Sequence, residues 1–280
     1  MSMLLEAQDM MYTYPSTDRP ALNGLSLAIP TGSKTAICGH NGCGKSTFFL
    51  HSNGILRPQS GRLQWKGTDY SYRKADIHAL RQRIGLVFQD PEQQLILNTP
   101  YEDISYGLRN AGFPEEEIRR RVEQMLVRMG LTHLADQPIH HLSLGQKKRI
   151  TLAGILVLEP ELILLDEPTA YLDPKSEVQL LEQLDRIHAQ GVTIAMSTHD
   201  MNLVYTWADW VIVMDQGRVV LSGTPLDVFQ QTDTLMTLGL RIPMLYDLWL
   251  ALPESWRNGA APPRDMEAFK AWVSTHHILQ

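Results

Sequence analysis

Residues 39–46 read Gly39-His40-Asn41-Gly42-Cys43-Gly44-Lys45-Ser46, and this octapeptide decides the fold. It fits G-x-x-x-x-G-K-[ST], in which glycines let the backbone curl until its N–H groups point inward at phosphate oxygens. Lys45 supplies a point charge for the β and γ phosphates, and Ser46 offers a hydroxyl to Mg²⁺. Lys34 to Cys38 (KTAIC) runs in as a compact strand, and an apolar helical pattern from Lys45 to Leu50 runs out. The start of that helix adds its positive dipole end to the loop. A plain glycine-rich turn would lack both flanks.

A second motif lies downstream. Leu162 to Leu165 (LILL) is a short apolar run between Pro160 and Asp166, as expected for a strand buried on both faces. It ends in Asp166-Glu167, and ligands of open α/β sheets sit at the carboxyl ends of strands. Asp166 is then positioned to hold Mg²⁺ through water, and Glu167 to orient or deprotonate an attacking water.

The rest of the chain agrees with this pair. The first 38 residues read as short strands, among them Leu25 to Ile29. Residues 61–67 and Ile84 to Phe88 read as two more, and the spacing from Pro100 to about Gly130 turns helical. The charge run Glu115, Glu116, Glu117, Arg119, Arg120 and Arg121 reads as a solvated helix face. Gly145 to Leu158 and residues 174–190 are helical; Val192 to Ser197 and Val211 to Met214 are strands, followed by a hairpin, GRVVLSG. Strands alternating with helices imply an α/β domain with a largely parallel core sheet. After Thr224 the pattern becomes helical pieces divided by Pro243, Pro253 and the loop Arg257 to Arg264, so a boundary is expected near residue 224.

Composition narrows the function. The chain has 280 residues, with 25 Lys plus Arg against 31 Asp plus Glu, a formal charge of −6. A mildly acidic chain is a poor candidate for wholesale nucleic-acid binding, and none is expected. Two cysteines, Cys38 and Cys43, make no disulfide framework, which suits a reducing interior, and C-x₄-C without a second ligand pair argues against zinc. The start carries Glu6 and Asp9 without a basic region before an apolar run, so no signal peptide is expected. No stretch approaches 18 consecutive apolar residues, so no membrane span is expected.

Between the two motifs lies Leu142-Ser143-Leu144-Gly145-Gln146, followed by Lys147-Lys148-Arg149. This resembles the LSGGQ signature of ATP-binding-cassette (ABC) ATPases. Gln89 follows IGLVF as a Q-loop glutamine would, Ala170-Tyr171-Leu172-Asp173 looks like the D-loop, and His199 in STHD looks like the switch histidine. Tyr14, rather than Tyr12, resembles the aromatic that stacks on adenine. Seven motifs in family order cover about residues 3–225. The resemblance implies a P-loop NTPase fold of the ABC type: a largely parallel core sheet, an antiparallel N-terminal β part and a helical subdomain at about 90–160. A small helical extension, 225–280, follows the ATPase domain, 1–224. It implies ATP and Mg²⁺, with Tyr14, Gly39, His40, Asn41, Gly42, Cys43, Gly44, Lys45, Ser46 and Thr47 on the nucleotide. Ser46, Gln89 and Asp166 would serve the metal, and Glu167, His199, Gln89 and Lys45 the chemistry. Ser143, Gly145, Gln146 and Asp173 would act on the nucleotide of a second copy, because this chain holds one set of motifs and the family sandwiches two nucleotides between two such domains. Two positions depart from the pattern: Leu144 replaces the first signature glycine, and Tyr171 stands where the D-loop usually has a small residue.

Residues 88–96 with Tyr101-Glu102-Asp103-Ile104 resemble energy-coupling-factor (ECF) importers, and Ala79 to Leu97 with residues 108–115 look most like their cobalt-uptake branch, nickel next. That resemblance implies a homodimeric ATPase on the cytoplasmic face of the membrane, working with an integral membrane coupling subunit and a metal-specific membrane subunit. The metal is expected to be handled there, since the pairs His140-His141 and His276-His277 lack a carboxylate or cysteine at ligand spacing, and adjacent side chains point apart. A vitamin importer of the ECF class is a further alternative. A soluble ABC ATPase of translation or DNA repair is one rival; it would carry two cassettes or a long coiled coil, and neither is present. A P-loop kinase or GTPase is another, but a GTPase needs a guanine-reading Asn-Lys-x-Asp, and none occurs. Two smaller expectations complete the reading. Phe229, Tyr246, Trp249, Trp256, Phe269 and Trp272 are too much aromatic surface to leave exposed, so the tail either covers the cassette or pairs two copies. Cys43, beside Lys45 and a helix start, is expected to favour its thiolate, whereas Cys38 on the strand should be inert.

Overall fold

The computed structural model describes residues 2–257 and 259–275. From its start the chain forms β1 (Met3–Tyr12), β2 (Leu22–Pro30), β3 (Lys34–Cys38), α1 (Lys45–Ser52), β4 (Ser60–Trp65), β5 (Thr68–Asp69), α2 (Lys74–Arg83) and β6 (Ile84–Val87). A helical stretch follows: α3 (Pro100–Asn110), α4 (Glu115–Arg128) and α5 (Leu144–Leu156). Strands then alternate with helices as β7 (Leu162–Asp166), α6 (Pro174–His188), β8 (Thr193–Thr198), α7 (Met201–Trp207), β9 (Trp210–Asp215) and β10 (Arg218–Gly223). The last part holds α8 (Pro225–Phe229), α9 (Thr232–Thr237), α10 (Met244–Ala251), α11 (Glu254–Arg257) and α12 (Met266–Thr275).

The core sheet has the order β10-β9-β3-β8-β7-β6, and every neighbouring pair is parallel except the β9–β10 hairpin. Strands β7 and β8 in its interior are buried on both faces, which is why LILL and VTIAMS carry no alternation. Successive side chains still go to opposite sides. Ile163, Leu165, Ile194 and Met196 join the core under α3 to α7, while Leu162, Leu164, Ala195 and Ile37 join a second core with Phe48 and Phe49 of α1 and the smaller sheet. That smaller sheet is antiparallel, ordered β2-β1-β4-β5, and Asn23 N–H donates to Gly217 O at 2.9 Å where the two sheets meet.

Three differences from the sequence reading have physical causes. The N-terminal strands are long, not short: ten residues in β1 and nine in β2. The register shifts between Ala7 and Met10, where Asp9 takes φ +48°, so a bulge rather than a turn breaks the alternation. α2 carries no helical signal in the sequence because none of its residues is buried and it has no apolar stripe. The helical stretch from Pro100 is two helices, parted where Gly112 takes φ +81° ahead of Pro114. The charged face of α4 is solvated as read, with Glu117 paired at 2.6 Å to both Arg120 and Arg121.

Past Thr224 the chain lies against the cassette. Phe229 and Tyr246 pack on Tyr205 of α7, ring centroids 5.5 and 5.6 Å away, and all three are buried. Tyr205 Oη donates to Pro263 O at 2.9 Å, and the Arg264 guanidinium donates to the Tyr205 and Ala208 carbonyls, satisfying the open end of α7. Trp249 is buried edge-on against Trp272 at 4.7 Å. Trp256 stays 45% exposed. No helix among the described residues is long and apolar enough to cross a membrane.

Candidate functional site

The glycine-rich loop leaves β3 at its carboxyl end and enters α1, and its glycines are sterically required. A Cβ on Gly39 would lie 2.1 Å from Met214 O, and one on Gly44 would lie 2.6 Å from Ala21 O. Lys45 is buried at 5% exposure, and its Nζ donates to Gly39 O at 2.7 Å and His40 O at 3.1 Å across the loop's mouth. Tyr14, Asn41, Gly42, Gly44, Lys45, Ser46, Thr47, Gln89, Asp166 and Glu167 line one cleft of about 480 Å³, together with Thr17, Arg19, Pro20 and Ala21. Tyr14 reaches Thr47 Oγ1 at 3.3 Å through its hydroxyl, while Tyr12 packs behind it on His51, 4.6 Å between centroids. Gly39, His40 and Cys43 do not line the cleft. The His40 ring is turned outward, its Nε2 against Leu238 O of the tail, and Cys43 is buried behind the loop.

The expected thiolate at Cys43 is not supported by this setting. Burial pushes the thiol above its ordinary range and outweighs the nearby Lys45 ammonium that pulls it down. Cys38, wholly enclosed, is pushed up to about 12 by the same cause, in keeping with an inert thiol.

The carboxylates are organised by the strand register. Asp166 of β7 stands opposite Ser197 of β8, and Ser197 Oγ donates to Asp166 Oδ1 at 2.5 Å. Ser197 Oγ also accepts the Glu167 N–H at 2.9 Å, so one hydroxyl aligns both acids. Glu167 sits in the left-handed region, φ +42°, which turns its side chain off the strand line, and its Oε2 lies 3.3 Å from His199 Nδ1. Asp200 caps α7 by accepting from Asn202 and Leu203 N–H, leaving His199 on the rim with its side chain 66% exposed. Ser197 and Arg19 were not singled out from the sequence. Serine within an apolar strand signals little, and Arg19 belongs to a loop whose path only the fold sets.

Ser143, Gly145, Gln146 and Asp173 do not join this cleft. They line a separate hollow of about 240 Å³ with Arg149, Leu172 and Ser176. Ser143 caps α5 in a capping box with Gln146, and Asp173 caps α6 through Ser176. A Cβ on Gly145 would meet Ser176 Oγ at 3.0 Å, so glycine lets the two helix starts touch. Leu144 takes the first helical position of α5, half-buried, and Tyr171 is 84% exposed at φ +63°.

The donor set fits a nucleoside triphosphate: a lysine ammonium and Ser46 and Thr47 hydroxyls at a helix start. Oxygen ligands at Ser46, Gln89 and Asp166 suit Mg²⁺, which supplies charge neutralisation at the phosphates. A family described as ABC transporter matches residues 22–170, just over half of this chain. The chain belongs to the ABC transporter family. This ABC ATPase is 50% identical over 247 residues to a putative ABC transporter ATP-binding protein of Nostoc, covering 88% of this chain and 90% of the relative. It is 43% identical to the energy-coupling factor transporter ATP-binding protein EcfA3 of Clostridium perfringens, covering 90% and 88%. Among solved structures it resembles CbiO1 of Clostridium perfringens, described as part of the ABC transporter complex CbiONQ. The TM-score is 0.75 and the identity 42%, over 89% of this chain and all of that one. A dimeric ATP-binding cassette solved with ADP and Pi matches with TM-score 0.71 and 26% identity, over 79% and 98%. The fold is that of ABC ATPases, and the chain is an ATPase acting on ATP with Mg²⁺. Histidine clusters add nothing further: His140 and His141 touch edge to face at 4.2 Å in a 3₁₀ turn instead of pointing apart, and His276-His277 lie outside the described residues. Among the described residues no group of three or more His, Cys, Asp or Glu could hold a metal.

Proposed function

We propose that the chain is the energy-coupling ATPase of an ECF-type importer, acting as a homodimer against integral membrane subunits and driving uptake of a transition-metal ion, cobalt first. The observation that carries the reading is the separation of the two motif sets into different hollows of one chain. Each nucleotide would meet the phosphate loop of one copy and Ser143, Gly145, Gln146 and Asp173 of the other. Glu167 would accept a proton from the attacking water, His199 would hold that carboxylate in place, and Gln89, Asp166 and Ser46 would serve Mg²⁺. The likeness to EcfA3 and CbiO1 supports the ECF assignment, and CbiO1's place in an ABC transporter complex supports partner subunits; cobalt rests on the resemblance of Ala79 to Leu97 and residues 108–115 to the cobalt-uptake branch.

A third hollow suits the coupling role. Glu92, Leu95, Leu97, Asn98, Pro138, Ile139, His140 and Lys147 line about 320 Å³ directly after Gln89, an apolar floor with a charged rim that fits a helix from a membrane subunit. The test is purification from membranes with its partners, identification of the co-purifying subunits, and uptake of labelled cobalt, nickel and vitamins in vesicles. Cobalt-specific uptake supports the full reading. Uptake of another substrate overturns the metal while keeping the importer, and a soluble preparation without membrane partners overturns the importer. Leu95→Asp should abolish uptake while the isolated subunit keeps its ATPase rate.

A further inference from the structure

Lys148 is a buried cation that the mechanism above leaves unused. It is 4% exposed, in α5, one helical turn beyond the signature. Its Nζ donates to Pro168 O at 2.7 Å and Ala170 O at 2.8 Å. Burial lowers its pKa from the usual lysine value to about 8, and the carboxylates of Asp90 and Glu167 pull the other way. An ammonium withdrawn from water without partners is costly, so two carbonyls and two nearby carboxylates make this a specific arrangement rather than an incidental one.

The segment it holds is strained at both ends. Glu167 and Tyr171 are the two non-glycine residues of this turn with positive φ, +42° and +63°, and such backbone persists only where its surroundings over-determine it. Inside the turn the bonds are few: Ala170 N–H to Glu167 O at 3.1 Å and Leu172 N–H to Thr169 O at 3.2 Å. The two carbonyls that Lys148 binds lie between the strained residues. The neighbouring Lys147 reaches the other way, to Glu92 Oε1 at 2.6 Å in the segment after Gln89. The signature helix thus grips the turn on one side and the coupling segment on the other.

We propose that Lys148 is a positioning residue of the ATPase reaction, locking the Glu167–Tyr171 turn to the signature helix so that the Glu167 carboxylate and the Ser143–Gly145 pair are set by one body. This rests on Glu167 acting as the base. Through this lock, one copy's signature contact on its partner's nucleotide fixes where its own Glu167 stands.

The experiment is steady-state and single-turnover ATPase kinetics on the full chain, with Lys148→Met, Glu167→Gln and the double variant. Lys148→Met should lower kcat about 10–100-fold, the scale of a misplaced catalytic group, with KM for ATP and ATP binding unchanged. In the Glu167→Gln background the same substitution should cost less than threefold, because it acts through a base already removed. A Lys148→Met enzyme within twofold of wild type overturns the proposal, as does an equal fold-loss in both backgrounds or a joint fall of kcat and ATP affinity. Wild-type hydrolysis by Glu167→Gln alone overturns the underlying reading of the base instead. If Lys148→Met does not fold, Lys148→Gln is measured instead: its amide N–H groups sit on a shorter arm and keep only part of the lock, so it should lose activity in the wild-type background and lose less with Glu167→Gln, and an equal fold-loss in both backgrounds or none in either overturns the proposal.

Discussion

His199 Nδ1 lies 3.3 Å from Glu167 Oε2, and the two residues follow directly on the ends of the adjacent parallel strands β7 and β8. The acid is largely buried while the imidazole is open to solvent, so the pair is addressable from one side. Glu167→Gln keeps the shape and removes the proposed base. It should bind ATP normally and lose about 10²–10⁴-fold in hydrolysis. ATP should then trap a dimer, visible as a shift in light scattering on adding nucleotide. Hydrolysis near the wild-type rate would take Glu167 out of the role.

Ser197 ties both acids with one hydroxyl, accepting from Glu167 N–H and donating to Asp166. Ser197→Ala leaves a backbone N–H and a carboxylate oxygen short of a partner, which costs about 1–3 kcal/mol where the site is dry. The expected outcome is a weaker response of activity to Mg²⁺ titration together with a lower kcat. Unchanged Mg²⁺ dependence would show that Asp166 is held without it.

Alkylation of Cys43 should be slow at neutral pH. Because burial raises its pKa, less thiolate is present than in free cysteine at the same pH, so the rate should still be climbing with pH where an ordinary thiol has levelled off. Maleimide kinetics between pH 7 and 10, with and without ATP, check this, with Cys43→Ala as the control. A rate already at its plateau near neutrality would mean that Lys45 wins over burial.

Lys148 also gives stability a pH dependence. Its folded pKa, about 8, lies below the ordinary lysine value. Between the two the unfolded chain binds more protons than the folded one, so this group's contribution to stability rises with pH across that window. The gain in melting temperature of Lys148→Met over wild type should therefore be larger, or its loss smaller, at pH 7 than at pH 9.5. No trend would place the charge in a well-solvated setting, and the opposite trend would mean that the Asp90 and Glu167 carboxylates outweigh burial.

Arg264 closes α7 from the tail by donating to the Tyr205 and Ala208 carbonyls. Arg264→Ala should destabilise by about 1.5–3 kcal/mol, the range for bonds to a charged group, with KM for ATP unaffected. Thermal unfolding of the two proteins reads this directly.

Much of this molecule was legible in the linear order of residues, for reasons of local chemistry. Phosphate loops need glycine where a Cβ would strike a carbonyl, as at Gly39 and Gly44, so the motif is local and survives in the text. Strands buried on both faces must be continuously apolar, which marked β7 and β8 and located Asp166 and Glu167. What no stretch of sequence contains is the meeting of distant residues. Ser197 reaches Asp166 across 31 positions only because two strands share a register, and Lys148 finds its carbonyls 20 and 22 residues away. The Cys43 thiol shows the same limit: its neighbours in sequence are positive, but the surrounding fold dehydrates it, and burial is the larger effect. Sequence determined which groups exist and which local backbone they adopt; tertiary packing decided which groups lose their water and face one another, because burial and long-range contact belong to the assembled chain alone.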